Sequence, residues 1–259
     1  MDIKQQLLTK KPKDLMFQLS IPAVIGMLVI GLYPLMDGIF AGKIIGEKAM
    51  AACSVAMPLT FLNNGTATLI GVGSASILSR ALGKGDRKTV DKVMGNLAFW
   101  VLLLSIAITI FGISFGRKFL LIAGATPEIA ELGIRYLRII FIGSIFVNFT
   151  QSANMVMRGE GLMKEAMMIM GLGALLNIIL DPIFMVAMGA RGIEGAAIAT
   201  VLTQFIQALV TLYYFKNKSK NVKIGKIKPE KESLYGNVFC WSIRYVDASI
   251  IYDSTNTTL

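Results

Sequence analysis

The sequence predicts an all-α, multi-pass membrane protein with six transmembrane helices. Three observations predict it. Of the 259 residues, 54% are hydrophobic and only 16% charged, where an ordinary soluble domain carries about 25% charged residues. Six apolar stretches are each long enough to cross a hydrocarbon core of about 30 Å, which takes roughly 20 helical residues. The basic residues, finally, collect on one side of those stretches. Composition also removes whole classes of chemistry. There is no His, so an imidazole relay, a His-based metal site and a Ser-His-Asp triad are excluded. Cys53 and Cys240 lie far apart without CxxC or CxxH spacing, which excludes a disulfide scaffold and a Cys-rich zinc or iron-sulfur site.

The first stretch runs from Leu15 to Ala41. It is too long for a signal peptide, and no A-x-A-like cleavage site follows it. Pro22 stands mid-way as a candidate kink or hinge, and Pro34, lacking an N–H, leaves a carbonyl unpaired one turn back. The second stretch, Ala49 to Leu82, has 34 residues. At 1.5 Å per residue that is about 51 Å, so it has to tilt, bend or project, and Pro58 is a candidate bend. Its small residues, Gly65, Ala67, Gly71 and Gly73 among them, permit close helix contact. No strand precedes Gly71-Val72-Gly73, as a nucleotide-binding turn would need. The third stretch is Met94 to Phe115 and the fourth Ile129 to Met157. In the fourth, Arg135 and Arg138 are placed to snorkel to the headgroups, and Arg158-Gly159-Glu160-Gly161 closes it. The fifth is Ala166 to Met188 and the sixth Gly195 to Phe215. Methionines from Met155 to Met188 form either an adaptable ligand surface or ordinary packing.

The chain thus divides into a six-helix bundle over 1–215, a basic cytoplasmic linker over 216–233 and a tail over 234–259 with no apolar run fit for a seventh crossing. Placing the N-terminus in the cytoplasm puts eighteen basic residues in inside segments and five in outside loops. This satisfies the positive-inside rule and predicts a multi-pass plasma-membrane protein with a cytoplasmic N-terminus. The net charge of +10 therefore reports orientation in a lipid bilayer, and no nucleic-acid partner is expected.

An ionised Asp inside a membrane helix costs about 2.5–3.5 kcal/mol on insertion scales, so an acid there is a functional candidate. Two qualify. Asp37 follows Pro34 in the outward half of the first helix. Asp181 precedes Pro182 in the fifth, with Asn177 at i−4 on the same face. Two carboxylates facing each other in a low-dielectric cavity resist being ionised together, so such a site takes up a proton or Na⁺ and releases it as the cavity changes. Further polar groups could line the cavity: Asn63, Asn64, Thr66 and Thr68 on the second helix, Asn148, Gln151 and Asn154 on the fourth, and Thr200, Thr203 and Gln204 on the sixth. Each alone could equally be interhelical glue, worth about 0.6 kcal/mol.

Several phrases, in order, resemble the multidrug and toxic compound extrusion (MATE) family. They are Ser20-Ile21-Pro22-Ala23, Met36-Asp37-Gly38, Gly71-Val72-Gly73-Ser74-Ala75, Ser79-Arg80-Ala81-Leu82-Gly83, Arg158-Gly159-Glu160-Gly161, Asn177 through Phe184, and Gly195-Ala196-Ala197-Ile198-Ala199-Thr200. The resemblance covers about Leu15 to Glu232. It implies one six-helix lobe of a cation-coupled exporter of cationic, amphipathic drugs or dyes, with the lobe facing a second across a central cavity. It also implies that Asp37 and Asp181 bind the coupling proton or Na⁺, with Asn177, Asn154 and Thr200 as polar partners and Pro22 as the bending point. Asn63, Asn64, Gln151 and Thr203 are the expected cavity residues. No cofactor other than the coupling ion is implied. Family members have twelve crossings, so the chain is expected to be the N-terminal half, a truncated or frame-shifted product that would need a second lobe or a second copy. The alternatives are a non-transporting membrane fragment and a flippase for lipid-linked oligosaccharides. The lack of an acid–base–nucleophile set argues against an enzyme.

Overall fold

The computed structural model describes residues 35–219 and Val222, with positions 13, 16, 17, 20, 21, 24 and 28 of the first span. Pro22, Pro34, Cys240 and nearly all of the segments 216–233 and 234–259 lie outside the described residues. Among those described there is no strand. Helix α1 comprises residues 35–40 and opens into a wide π-helical turn, Ala41–Ile45. Gly46, at φ 126°, stops it and starts the next helix. Only glycine adopts that backbone freely.

Helix α2, Glu47–Lys84, runs 38 residues and continues through Pro58. Gly85 ends it in the left-handed conformation at φ 73°. Asp86 caps α3, Arg87–Ile122: its carboxylate accepts from the Thr89 backbone N–H at 3.2 Å and from the Thr89 hydroxyl at 2.6 Å. Those two bonds hold the exposed Asp86 carboxyl below its ordinary pKa, the hydroxyl contributing most. Helix α4, Pro127–Ile142, starts with Thr126 as cap and Pro127 in its first turn, where the missing N–H costs nothing.

The fourth span departs from expectation. One continuous helix was expected over Ile129 to Met157, but α4 stops at Ile142 and α5, Ser144–Gly159, leaves Gly143 at an angle of 56°. Helix α6 is Met163–Met188, uninterrupted by Pro182. A short 3₁₀ turn, Gly189–Arg191, leads into α7, Gly192–Asn217.

Among the described residues, α3 and the stretch 163–217 are long and apolar enough to cross a bilayer, and α4 with α5 qualifies as one bent span. Helix α2 falls short of that apolarity because Asn63, Asn64, Thr66 and Thr68 dilute it. It is instead enclosed, packing along α5, α3 and α4. Helices α6 and α7 form a hairpin that joins the rest chiefly through α7, which packs on α4 and α5. Exposed Leu102, Leu103, Ile106, Ile110 and Phe115 cover the free face of α3, and Leu175, Ile179 and Ile183 that of α6. These faces suit hydrocarbon.

Two apolar cores fill the bundle. At the end bearing Gly46 and Gly189, Ala52, Leu120, Ile134, Leu137, Phe141, Met185 and Ile193 pack together. At the end bearing Gly85, Leu78, Val90, Met94, Leu97, Met157, Ile169 and Phe215 do so. The methionines do not share one surface: Met157 and Met185 are buried, and Met168 faces outward. The Arg158 guanidinium reaches the Met170 sulfur at 3.0 Å, while Glu160 is buried with the Ser219 hydroxyl at 3.4 Å.

Candidate functional site

The acid site is built where α1, α6 and α7 meet. Asn177 and Asp181 are one turn apart on α6, so their side chains share a face. The Asn177 amide donates to Asp181 Oδ1 at 2.8 Å and, across the helix pair, reaches Thr200 Oγ1 on α7 at 3.4 Å. Helix α7 comes this close because its first turns are small residues. A Cβ at Gly195 would sit 2.5 Å from the Phe184 carbonyl oxygen. Asn177 and Asp181 are consequently fully buried, and Asp37 and Thr200 nearly so.

Asp37 brings the second carboxyl from α1. Its side chain faces Asp181 closely enough for the two carboxyls to interact, and Cys53 of α2 lies within electrostatic reach of both. A contact between two carboxyls has no donor unless a proton is present, and without one it is repulsive. Several buried oxygens here lack a hydrogen-bond partner: Asp37 Oδ1, Asp181 Oδ2, Asn177 Oδ1 and, one turn along α7 from Thr200, Thr203 Oγ1. An oxygen-only donor set of this kind fits a proton or a hard cation. No group of three His, Cys, Asp or Glu ligands occurs among the described residues, so a transition-metal centre has no ligand set there.

The other expected residues go elsewhere. Asn154 is buried but spends its amide on the Ala166 carbonyl at 2.7 Å, bracing α5 against α6. Asn63 accepts from the Asn148 amide at 3.1 Å, which also donates to Ser105 Oγ at 2.9 Å. Ser144 and Thr109 extend this second, neutral cluster. Gln151 reaches Thr68 Oγ1 at 3.4 Å, and Asn64, half-buried, offers its backbone carbonyl to Thr68. Asp37, Asp181, Asn177 and Thr200 are therefore brought together, Thr203 lies a turn from Thr200, Asn154, Asn63 and Gln151 tie helices elsewhere, and the contact at Asn64 stays within α2.

Three participants in the neutral cluster escaped sequence reasoning: Ser105, Thr109 and Ser144. The signal was present as two hydroxyls four residues apart on the otherwise apolar α3 and a Gly-Ser pair inside the fourth span. Cys53 was missed as a neighbour of the acids because nothing in its local sequence points across the bundle.

Comparison with known proteins decides the family, since the MatE family model matches residues 22–183. The chain belongs to the MatE family. The multidrug export protein MepA of Staphylococcus aureus (strain MRSA252) is 28% identical over 221 residues, covering 85% of this chain and 49% of MepA. A crystal structure of MATE in the bent conformation superposes with a TM-score of 0.82 at 34% identity, covering 90% of this chain and 52% of that one. A MOP superfamily transporter from Pyrococcus furiosus, described by a reversed polarity of its binding pocket, gives a TM-score of 0.81 at 35% identity over 90% of this chain and 52% of its own. This MatE chain therefore spans about half the length of the relatives it matches. Those relatives are transporters and multi-pass membrane proteins, and the helical bundle described above is the MatE fold.

Proposed function

We propose that the chain is the ion-coupling lobe of a secondary antiporter that exports cationic, amphipathic compounds in exchange for H⁺ or Na⁺. One observation carries the reading: two carboxyls, Asp37 and Asp181, are buried as neighbours in a site shared with Asn177 and Thr200, and no Lys or Arg is buried among the described residues. An acid pair without a basic partner has to be balanced by something that comes and goes. With Asp181 Oδ1 held by Asn177, Asp181 Oδ2 and Asp37 Oδ1 are the atoms that take the proton or ion. A cationic compound entering the lobe competes with that ion for the same negative charge, which is the condition for exchange.

The partners in this reading are the lipid bilayer, small cationic drugs or dyes, and a second lobe or second copy, supported by relatives twice as long. No cofactor beyond the coupling ion is proposed. The asymmetry of eighteen inside against five outside basic residues supports a plasma-membrane location with a cytoplasmic N-terminus. The Pyrococcus furiosus relative shows that pocket polarity differs among these transporters. A flippase for lipid-linked oligosaccharides would need a cationic cavity for pyrophosphate, and the acidic, amide-rich interior here weighs against one.

The test is efflux of a cationic dye from everted vesicles with Na⁺ and pH gradients imposed separately. One gradient is expected to drive efflux, and Asp37→Asn or Asp181→Asn to abolish it while the protein remains inserted. Undiminished efflux by both variants would overturn the assignment.

A further inference from the structure

The break in the fourth span is held from both sides. On one side, α3 grips it with residues one turn apart: the Thr109 hydroxyl donates to the Phe141 carbonyl at 2.6 Å and lies 3.1 Å from Ser144 Oγ, while Ser144 donates to the Ser105 carbonyl at 3.4 Å. On the other side, the break rests on α7. A Cβ at Gly143 would lie 2.4 Å from Val201 Cγ2, so glycine is what allows the contact. Just past it, Phe146 packs edge-on against Phe205 with centroids 5.0 Å apart, and Thr150 reaches the Gln204 carbonyl at 3.5 Å.

Helix α7 therefore has two neighbours at one level. Val201, Gln204 and Phe205 meet the broken span, and Thr200, next to Val201, accepts from Asn177 in the acid site. Turning α7 by even a few degrees at Val201 lengthens or shortens that already long 3.4 Å contact. We propose that Gly143 and Thr109 are positioning residues for the acid site: by fixing the bend of the fourth span they set the rotation of α7 and so the placement of Thr200. This rests on the coupling role proposed for Asp37 and Asp181. Neither Gly143 nor Thr109 touches an acid, and their effect passes through the packed contacts that Val201, Gln204 and Phe205 of α7 make with the broken span.

The experiment is labelling of Asp37 and Asp181 by dicyclohexylcarbodiimide, which attacks protonated carboxyls in apolar surroundings, in the full chain in liposomes. Labelling is read by mass spectrometry against Na⁺ at fixed pH and against pH without Na⁺. Thr109→Val and Gly143→Ala are expected to shift the half-effect concentration of Na⁺ or of protons by about three- to tenfold, the size of coupling such networks carry. Thr109→Ser, which keeps the hydroxyl, is expected to track the wild type. Gly159→Ala, whose Cβ would press on Ala75 at 3.0 Å in the other core, is expected to lower thermal stability without moving either curve. If Gly143→Ala does not accumulate, Thr109→Val carries the test, because it removes a hydroxyl at nearly constant shape. Unshifted curves in the Thr109→Val protein overturn the positioning role alone. A wild type whose labelling responds to neither Na⁺ nor pH overturns the coupling reading, and the positioning role falls with it.

Discussion

The bundle buries two polar clusters that differ in one respect. The neutral cluster joins Asn63, Ser105, Thr109, Ser144 and Asn148 across α2, α3 and α5 through contacts of 2.6–3.4 Å, and leaves the uncharged Asn148 Oδ1 without a partner. The acid cluster joins Asp37, Asn177, Asp181 and Thr200, and it keeps an unpartnered oxygen on each carboxyl. A satisfied neutral network rigidifies the core it sits in. An acid pair short of donors instead stores a demand for a positive charge, which a proton or cation can meet and later vacate. Both clusters are buried and both keep an unpartnered oxygen; in the coupling reading proposed above, what separates them is that only the carboxyls can carry charge.

The comparison is broken most completely at the carboxyls. Asp181→Asn gives the pair an internal donor, and coupled efflux is expected to vanish while the amount of inserted protein is unchanged. Membrane fractionation alongside dye efflux checks both halves of that statement. Asn177→Leu comes next. It removes a hydrogen bond to a charged group, worth about 1.5–3 kcal/mol, so the half-effective Na⁺ or proton concentration is expected to move by about ten- to a hundredfold in the labelling assay.

The neutral cluster answers differently. Asn148→Leu strands Asn63 and Ser105 and is expected to cost about 1–3 kcal/mol of stability. Adding Asn63→Leu is expected to recover much of that loss, because replacing both partners leaves no buried group unpaired. Denaturation in detergent measures this, and the ion response should stay put in both proteins; a shift there would merge the two clusters into one functional unit. The smallest effect is expected outside the spans. Asp86→Ala removes the cap of α3 and is expected to lower the thermal midpoint slightly. Because the folded carboxyl titrates below its ordinary value, its contribution is present above the unfolded pKa and lost as pH falls through the folded one. The gap between wild type and variant should close at strongly acidic pH.

Much of this was legible in the amino-acid order. Charged residues are so rare inside apolar stretches that Asp37 and Asp181 stood out without any structure, and Asn177 followed from helical spacing. Span ends were less legible: α3 runs from Arg87 to Ile122, well beyond the apolar window Met94 to Phe115, because polar turns at helix ends carry no hydrophobic signal. The partners of Asn63 and Asn154 could not be read at all, since an amide looks the same whether it faces a cavity, another amide 85 residues away or a backbone carbonyl on the next helix. The break at Gly143 was hidden for a related reason. A glycine within an apolar run is compatible with a straight helix, and only Val201 on α7 and Thr109 on α3 make it a corner.

The far end of α1 adds a consequence of its own. The turn after Asp37 is pinned, since a Cβ at Gly192 would lie 2.9 Å from Ile45 Cγ1. Ile45 lies eight positions beyond Asp37, and because the last five form the π-helical turn the arm is at most about 12 Å, the α-helical length at 1.5 Å per residue. On so short an arm, a swing of about 10° around the pinned turn carries the Asp37 carboxyl roughly 2 Å, enough to part it from Asp181 by the geometry of hydrogen bonds, but Phe40 and Ala41 on the same arm pack into the core near Gly46 and would move with it. In the coupling reading proposed above, parting the two acids would therefore be felt in the core near Gly46, which links ion release to the packing of that end of the bundle.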